Sequence, residues 1–158
     1  MRIESNRFGQ LEVPDDKLIK MERPILGFEN LGQFCLVEID DLGPFLWLQA
    51  VDDPQVAFLL VNPVVFFPDY SITVNPNEIA ELKVDNVANV ETYVIVTIDS
   101  QSSRIYANLQ GPILINNTNR LAKQLVLVNS EYRVDEVISS EMVGVTEVET
   151  EEELEMAL

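Results

Sequence analysis

The sequence predicts a small all-β domain, mainly antiparallel and barrel-like, with one or two short helices. Three observations carry this. Short runs of Val, Ile, Leu and Phe recur along the chain, and each is closed by Asp, Asn, Gly or Pro. Two-residue alternation dominates the hydrophobic pattern, with little sign of a helical period. The stretch 44–70, PFLWLQAVDDPQVAFLLVNPVVFFPDY, has 17 apolar residues out of 27 and holds six of the twelve aromatics. Its only charges are Asp52, Asp53 and Asp69. An apolar run that dense reads as buried strands joined by acidic turns.

The elements follow in order. Gly9 breaks the segment 2–13 and predicts a hairpin. Segments 33–39, 45–51 and 57–61 read as strands, with turns at 40–44 (DDLGP) and 52–54 (DDP). Segments 92–98, 104–109, 113–115 and 121–128 continue the series, and 99–103 and 116–120 supply the turns. One helix is predicted: Asn75 caps it, Pro76 takes the first helical position, and Glu78 stands three residues after the cap. Ile79, Leu82 and Val84 would face the core, with the helix packed over a mouth of the barrel. The domain is expected over 1–138. Residues 139–158 carry seven Glu and no basic residue and read as an acidic, flexible C-terminal tail. An edge strand over 142–148 and a frayed helix over 149–158 are the alternatives for that tail.

A chain of 158 residues suits one domain and buries a core without disulfides or metal. Ten basic and 27 acidic residues give a net charge of −17, which is repelled by nucleic acid phosphates and anionic membranes. Basic proteins, cations and apolar surfaces are the natural partners, although an acidic surface also serves solubility. No Lys or Arg occurs between Arg23 and Lys83. Cys35 is the only cysteine and sits in an apolar run, as a buried thiol would. The N-terminus has no apolar leader, and the longest apolar run, 56–61, falls far short of a membrane span. A soluble, cytoplasmic protein that is monomeric when free is the expectation.

The absence of histidine removes Ser-His and Cys-His catalysis and His-containing zinc sites. No phosphate-cradling loop is present, and no cofactor or metal is expected. Carboxylates are the remaining catalytic candidates, and a carboxylate-dependent hydrolase is the alternative from the enzyme class. The Asp pairs have an ordinary role, however, because Asp caps turns through its own backbone. The candidate contacts for a partner are Asp40, Asp41, Asp52, Asp53 and Asp69, with Phe66, Phe67 and Tyr70 as an aromatic margin. Adjacent Phe residues on a strand point to opposite faces, which offers one of the pair to a surface unless the sheet is covered on both faces and buries both. Trp47 and Phe58 are read as core, and Tyr70 as lying at the core's edge.

Several segments in order resemble the FliW family of flagellar assembly factors. Pro24-Ile25-Leu26-Gly27-Phe28-Glu29 resembles the family's early Gly-Phe-Glu segment. Phe45-Leu46-Trp47-Leu48-Gln49-Ala50-Val51-Asp52-Asp53-Pro54 resembles its Trp-Leu-Gln and Asp-Asp-Pro signature, and Ala57-Phe58 follows. Asn62-Pro63 and Pro68-Asp69-Tyr70 fit the next stretch. Asn108 to Asn116 (NLQGPILIN), Arg120 and Gln124-Leu125-Val126-Leu127 complete the match, which covers about 1–135. Gly111 stands where the family often has Ala, and Ala122 where it often has Gly. Both are small-for-small exchanges that threaten little.

The resemblance implies a non-enzymatic regulator. It would bind CsrA, a small dimeric RNA-binding repressor with a basic surface, and relieve its block on flagellin translation allosterically. It would also bind flagellin, the two partners alternating, so that flagellin export frees it to act on CsrA. An acidic nucleic-acid mimic that fills a basic RNA-binding groove directly is the mechanistic alternative.

Overall fold

The computed structural model describes residues 1–40, 42–128 and 130–138. Asp41 and the readings made for the tail lie outside these residues. The described residues form eleven strands and one short α-helix, with three single 3-10 turns. β1 (Arg2–Ser5) and β2 (Gly9–Glu12) make the predicted hairpin as a separate two-stranded sheet, with Gly9 at φ +74°. The second sheet holds β3 (Ile19–Arg23), β4 (Gln33–Val37), β5 (Phe45–Ala50), β6 (Ala57–Val61), β7 (Val90–Ile98), β8 (Ile105–Ala107), β9 (Ile113–Asn116), β10 (Leu121–Gln124) and β11 (Glu136–Ile138).

β7 curls this sheet into a ring. One edge of β7 pairs with β6; the other pairs with β9 over Val90–Tyr93 and with β8 over Val96–Ile98. The order β3-β4-β5-β6-β7-β9-β10 then returns to β3, all antiparallel except the parallel β10–β3 pair. Ring strands send alternate side chains inward. Ile19, Phe34, Leu48, Leu60, Ile113 and Ala122 meet there in one fully buried cluster. The alternate residues Phe45, Trp47, Leu59, Val61, Val94 and Val96 face outward and are buried too, under β8, β11, Phe66 and Tyr70. β5 is therefore buried at all six positions, which is why it reads as an unbroken apolar run.

Gln49 is the polar exception on β5, and it is fully buried. Its Nε2 donates to the Val56 carbonyl at 3.1 Å and to the Ala50 carbonyl at 3.0 Å, and its Oε1 accepts from the Ser5 hydroxyl at 2.7 Å. The Asn6 amide adds a 2.9 Å bond to the Pro54 carbonyl. One amide thus holds the 52–56 turn and fastens the N-terminal hairpin to the ring. Beside it, the Arg7 guanidinium lies 4.2 Å from the centre of the Trp47 ring.

The helix α1 (Pro76–Ala80) carries the predicted cap: the Asn75 side chain accepts from the Asn77 amide, and Glu78 accepts from the Asn75 amide. Its position differs from the prediction. Leu82, just past its end, packs on Leu114 and Leu125, which point out of the ring. The helix therefore covers the outer wall of β9 and β10 and leaves both mouths alone. Lys123, buried under it, donates to the Glu78 carbonyl at 3.1 Å, and Glu81 accepts two 2.9 Å bonds from Arg23. Two strands, β3 and β11, were not anticipated from the sequence.

Replacing Gln49 by Ala strands the Ser5 hydroxyl and leaves a small cavity. Gln49→Ala is expected to cost about 2–3 kcal/mol, read in thermal unfolding as a fall of roughly 5–10 °C. Removal of 140–158 is expected to leave the melting temperature unchanged. Removal of 136–158 also takes the buried Ile138 out of the core and is expected to cost about 2 kcal/mol.

Candidate functional site

The ring has two ends, and the strands fix which residues lie at each. β5 runs from Phe45 at one end to Ala50 at the other, about 20 Å apart. At the Phe45 end stand Glu38, which follows β4, Asp40 in the β4–β5 loop, and Glu91 near the start of β7. They line an open groove of ≈ 480 Å³ with Asn62 and Tyr93. A second depression continues from it past Glu12, Lys17 and Arg120. Among the described residues no ion pair neutralises Glu38, Asp40 or Glu91. Glu12 is held by Arg2 at 3.1 Å, and Arg120 is turned to the Asn117 side chain and the Lys17 carbonyl at 3.3 Å.

Tyr93 anchors this end. Its hydroxyl donates to the Glu91 carboxylate, which fixes that side chain at the rim. Burial, the bond to Glu91 and the charges of Glu91 and Glu38 raise the Tyr93 pKa, against a smaller opposing effect of Arg120. The arrangement is an anionic groove with an apolar floor of Leu46 and Tyr93. It suits a cationic protein surface. Among the described residues no group of His, Cys, Asp or Glu converges to hold a metal ion.

The four acidic candidates among the described residues do not come together. Asp40 is exposed at the groove; Asp52 and Asp53 lie at the opposite end of β5. Asp53 caps its own turn, its carboxylate accepting from the Gln55 amide at 3.0 Å. Asp69 is exposed in the loop after β6, and Asp41 is outside the described residues. Glu91, Glu38 and Glu12 do the converging instead. Glu38 stands two residues before Asp40 in the chain, whereas Glu12 and Glu91 are brought there by long-range pairing.

The aromatic margin is corrected. Asn62 caps a 3-10 turn over Pro63–Val65, so Phe66 and Phe67 do not alternate across a strand. Phe66 is buried against Phe45 with ring centres 5.6 Å apart, and Phe67 is half-buried against the same cluster. Tyr70 is buried as well, and its hydroxyl donates to the Leu109 carbonyl at 2.8 Å. This trio supports the outer core and presents little surface.

The opposite end of the ring, where Asp52 and Asp53 also lie, carries an apolar depression. Ile25, Leu26 and Phe28 fold over it, with Phe28 edge-on to Phe58 at 4.9 Å. The Gln124 side chain holds this loop, accepting from the Leu26 amide at 2.8 Å and donating to the Gly111 carbonyl at 3.0 Å. A Cβ at Gly111 would meet Gln124 Nε2 at 2.8 Å, the far end of a flexible side chain that would have to shift to admit an Ala.

Comparison with known proteins agrees with this architecture. The family model described as FliW protein matches residues 2–138. The flagellar assembly factor FliW of Moorella thermoacetica is 41% identical over 133 residues, 84% of each chain. That of Thermoanaerobacter pseudethanolicus is 36% identical over 144 residues, 90% of this chain and 95% of its own. A crystal structure of the flagellar assembly factor FliW superposes with a TM-score of 0.80 at 33% identity, covering 87% of this chain and 96% of that one.

Tyrosine titration reads the acidic end directly. Tyr70 and Tyr93 are expected to ionise above the free-phenol value of about 10, because burial disfavours the phenolate in both. The neutral form is the one the fold favours. Its contribution to stability is fully present below the unfolded pKa and is lost as pH rises through the raised folded value. Glu91→Gln is expected to lower the Tyr93 transition and leave that of Tyr70 in place, followed by phenolate absorbance.

Proposed function

The chain belongs to the FliW family of flagellar assembly factors, and from that membership we propose that it antagonises the translational repressor CsrA and alternately binds flagellin, coupling flagellin synthesis to secretion. The family is non-enzymatic, which sets aside the carboxylate-hydrolase reading. The observation that carries the proposal is the groove of Glu38, Asp40 and Glu91, acids that make no ion pair among the described residues, in a chain of net charge −17. A basic dimer such as CsrA gains association rate and orientation from such a face. Its action on CsrA is allosteric, at a surface apart from the RNA groove, and takes place in the cytoplasm.

The exchange between partners has a thermodynamic form. Flagellin weakens CsrA binding by the same factor by which CsrA weakens flagellin binding. A titration of flagellin into the preformed complex measures that factor, and RNA competition separates allostery from direct mimicry of nucleic acid.

The double substitution Glu38→Lys with Glu91→Lys is expected to weaken CsrA binding about tenfold, equivalent to about 1.4 kcal/mol, and to flatten its salt dependence. Asp52→Lys, at the other end of the ring, is expected to bind as wild type. Calorimetric titrations at low and high salt check both. Wild-type affinity in the folded double variant would move the CsrA contact elsewhere.

A further inference from the structure

The acidic groove does not stay acidic along its length. Glu38, Leu46, Glu91 and Tyr93 line both of its depressions, so the two are continuous. Asp40 lies at one end; Lys17 and Arg120 lie at the other. The chain has 27 acidic residues and only ten basic ones, so a basic side chain has many acids to pair with. Among the described residues neither Lys17 nor Arg120 makes an ion pair. Glu12, which shares their depression, is taken by Arg2 at 3.1 Å.

Arg120 is anchored by its backbone and left spare in its side chain. Its amide donates to the Asn116 carbonyl at 2.8 Å, and its carbonyl accepts from the Lys20 amide at 3.0 Å, across the β10–β3 seam. Its φ of +63° is one that Gly or Asn adopts with less strain. The guanidinium reaches only the Asn117 side chain and the Lys17 carbonyl, both at 3.3 Å, longer than an ordinary N–H···O bond. Its Nε is buried without a partner. Such a fork has more donors than these contacts use, and a carboxylate matches it. The Lys17 side chain is exposed beside it and has no partner among the described residues.

We propose that Lys17 and Arg120 form a carboxylate subsite at the far end of the acidic groove. The groove then takes a polypeptide segment with a basic side chain at the Asp40 end and an acidic one at the Arg120 end. The inference rests on the reading of function given above and adds a direction to it. A purely basic segment is repelled by Lys17 and Arg120, and the reverse order of charges places like against like at both ends. A phosphate or a nucleic acid strand would face Glu38 and Glu91 in the same groove, whereas one carboxylate beside a basic side chain is balanced.

The test uses the full-length chain and purified CsrA, with calorimetric affinities. In a groove that only attracts positive charge, removing a cation tightens the binding of a basic partner. At a carboxylate subsite the same change weakens it. Lys17→Met, at an exposed position, is expected to keep the melting temperature and weaken CsrA binding about threefold. Arg120→Gln is expected to weaken it about tenfold. Among CsrA variants with single acid-to-amide changes, the C-terminus included, one is expected to bind wild type more weakly and Lys17→Met no more weakly than CsrA itself does. Wild-type protein that binds no CsrA overturns the functional reading and this inference with it. A measurable wild-type complex, with binding unchanged or tighter in Lys17→Met or in folded Arg120→Gln, overturns this inference alone. So does a set in which no CsrA carboxylate is coupled to Lys17. If Arg120→Gln is unfolded, the Lys17→Met result decides.

Discussion

One edge of β7 serves two strands in succession, and the rest of the molecule depends on that division. The first four residues of β7 take β9, which closes the ring; the last three take β8, which peels away and folds over the outside. A single continuous partner would have produced either a closed barrel with a bare outer wall or an open sheet. The split yields an apolar interior and an apolar outer layer that share the strands β5, β6 and β7. Those strands are covered on both faces, and their hydrogen bonds are shielded from water.

A ring so closed has two ends with different chemistry. The strand termini decide this, since side chains at a mouth cannot be buried by neighbouring strands. At one mouth β4 and β7 bring Glu38 and Glu91 beside Tyr93; at the other, the 25–28 loop and the chain beyond β10 bring Leu26 and Val126. The anionic groove and the apolar depression are thereby kept apart, and a partner that needs one need not desolvate the other.

Legibility from the sequence followed this layout. β5 and β6 were plain because both faces are apolar. β3 was missed because its outward positions, Lys20 and Glu22, are charged and pair with each other at 3.7 Å, which breaks the apolar run. β11 was missed because three residues give no period to read. The 62–70 segment was misread as strand-like; Asn62-Pro63 starts a 3-10 turn, so side-chain alternation does not apply there. The Asp pairs were visible but local, whereas the groove assembles acids from positions 38, 40 and 91, a convergence that only tertiary pairing creates. The Trp-Leu-Gln and Asp-Asp-Pro segments were legible as a signature; that Gln49 is the residue holding the turn was not.

The parallel pairing of β10 with β3 has a consequence for how the molecule comes into being. Lys20 lies opposite Leu121, so the seam joins the beginning of the ring to nearly its last strand. During synthesis β3 leaves the ribosome about a hundred residues before its partner exists, and at 5–20 residues per second it waits for several seconds. Contacts so distant along the chain are slow to form because loop-closure entropy must be met first. Until the seam closes, neither mouth has its final shape. A new molecule therefore becomes competent for either partner only after almost the whole chain has been translated, which sets a delay between the start of its synthesis and its first binding event.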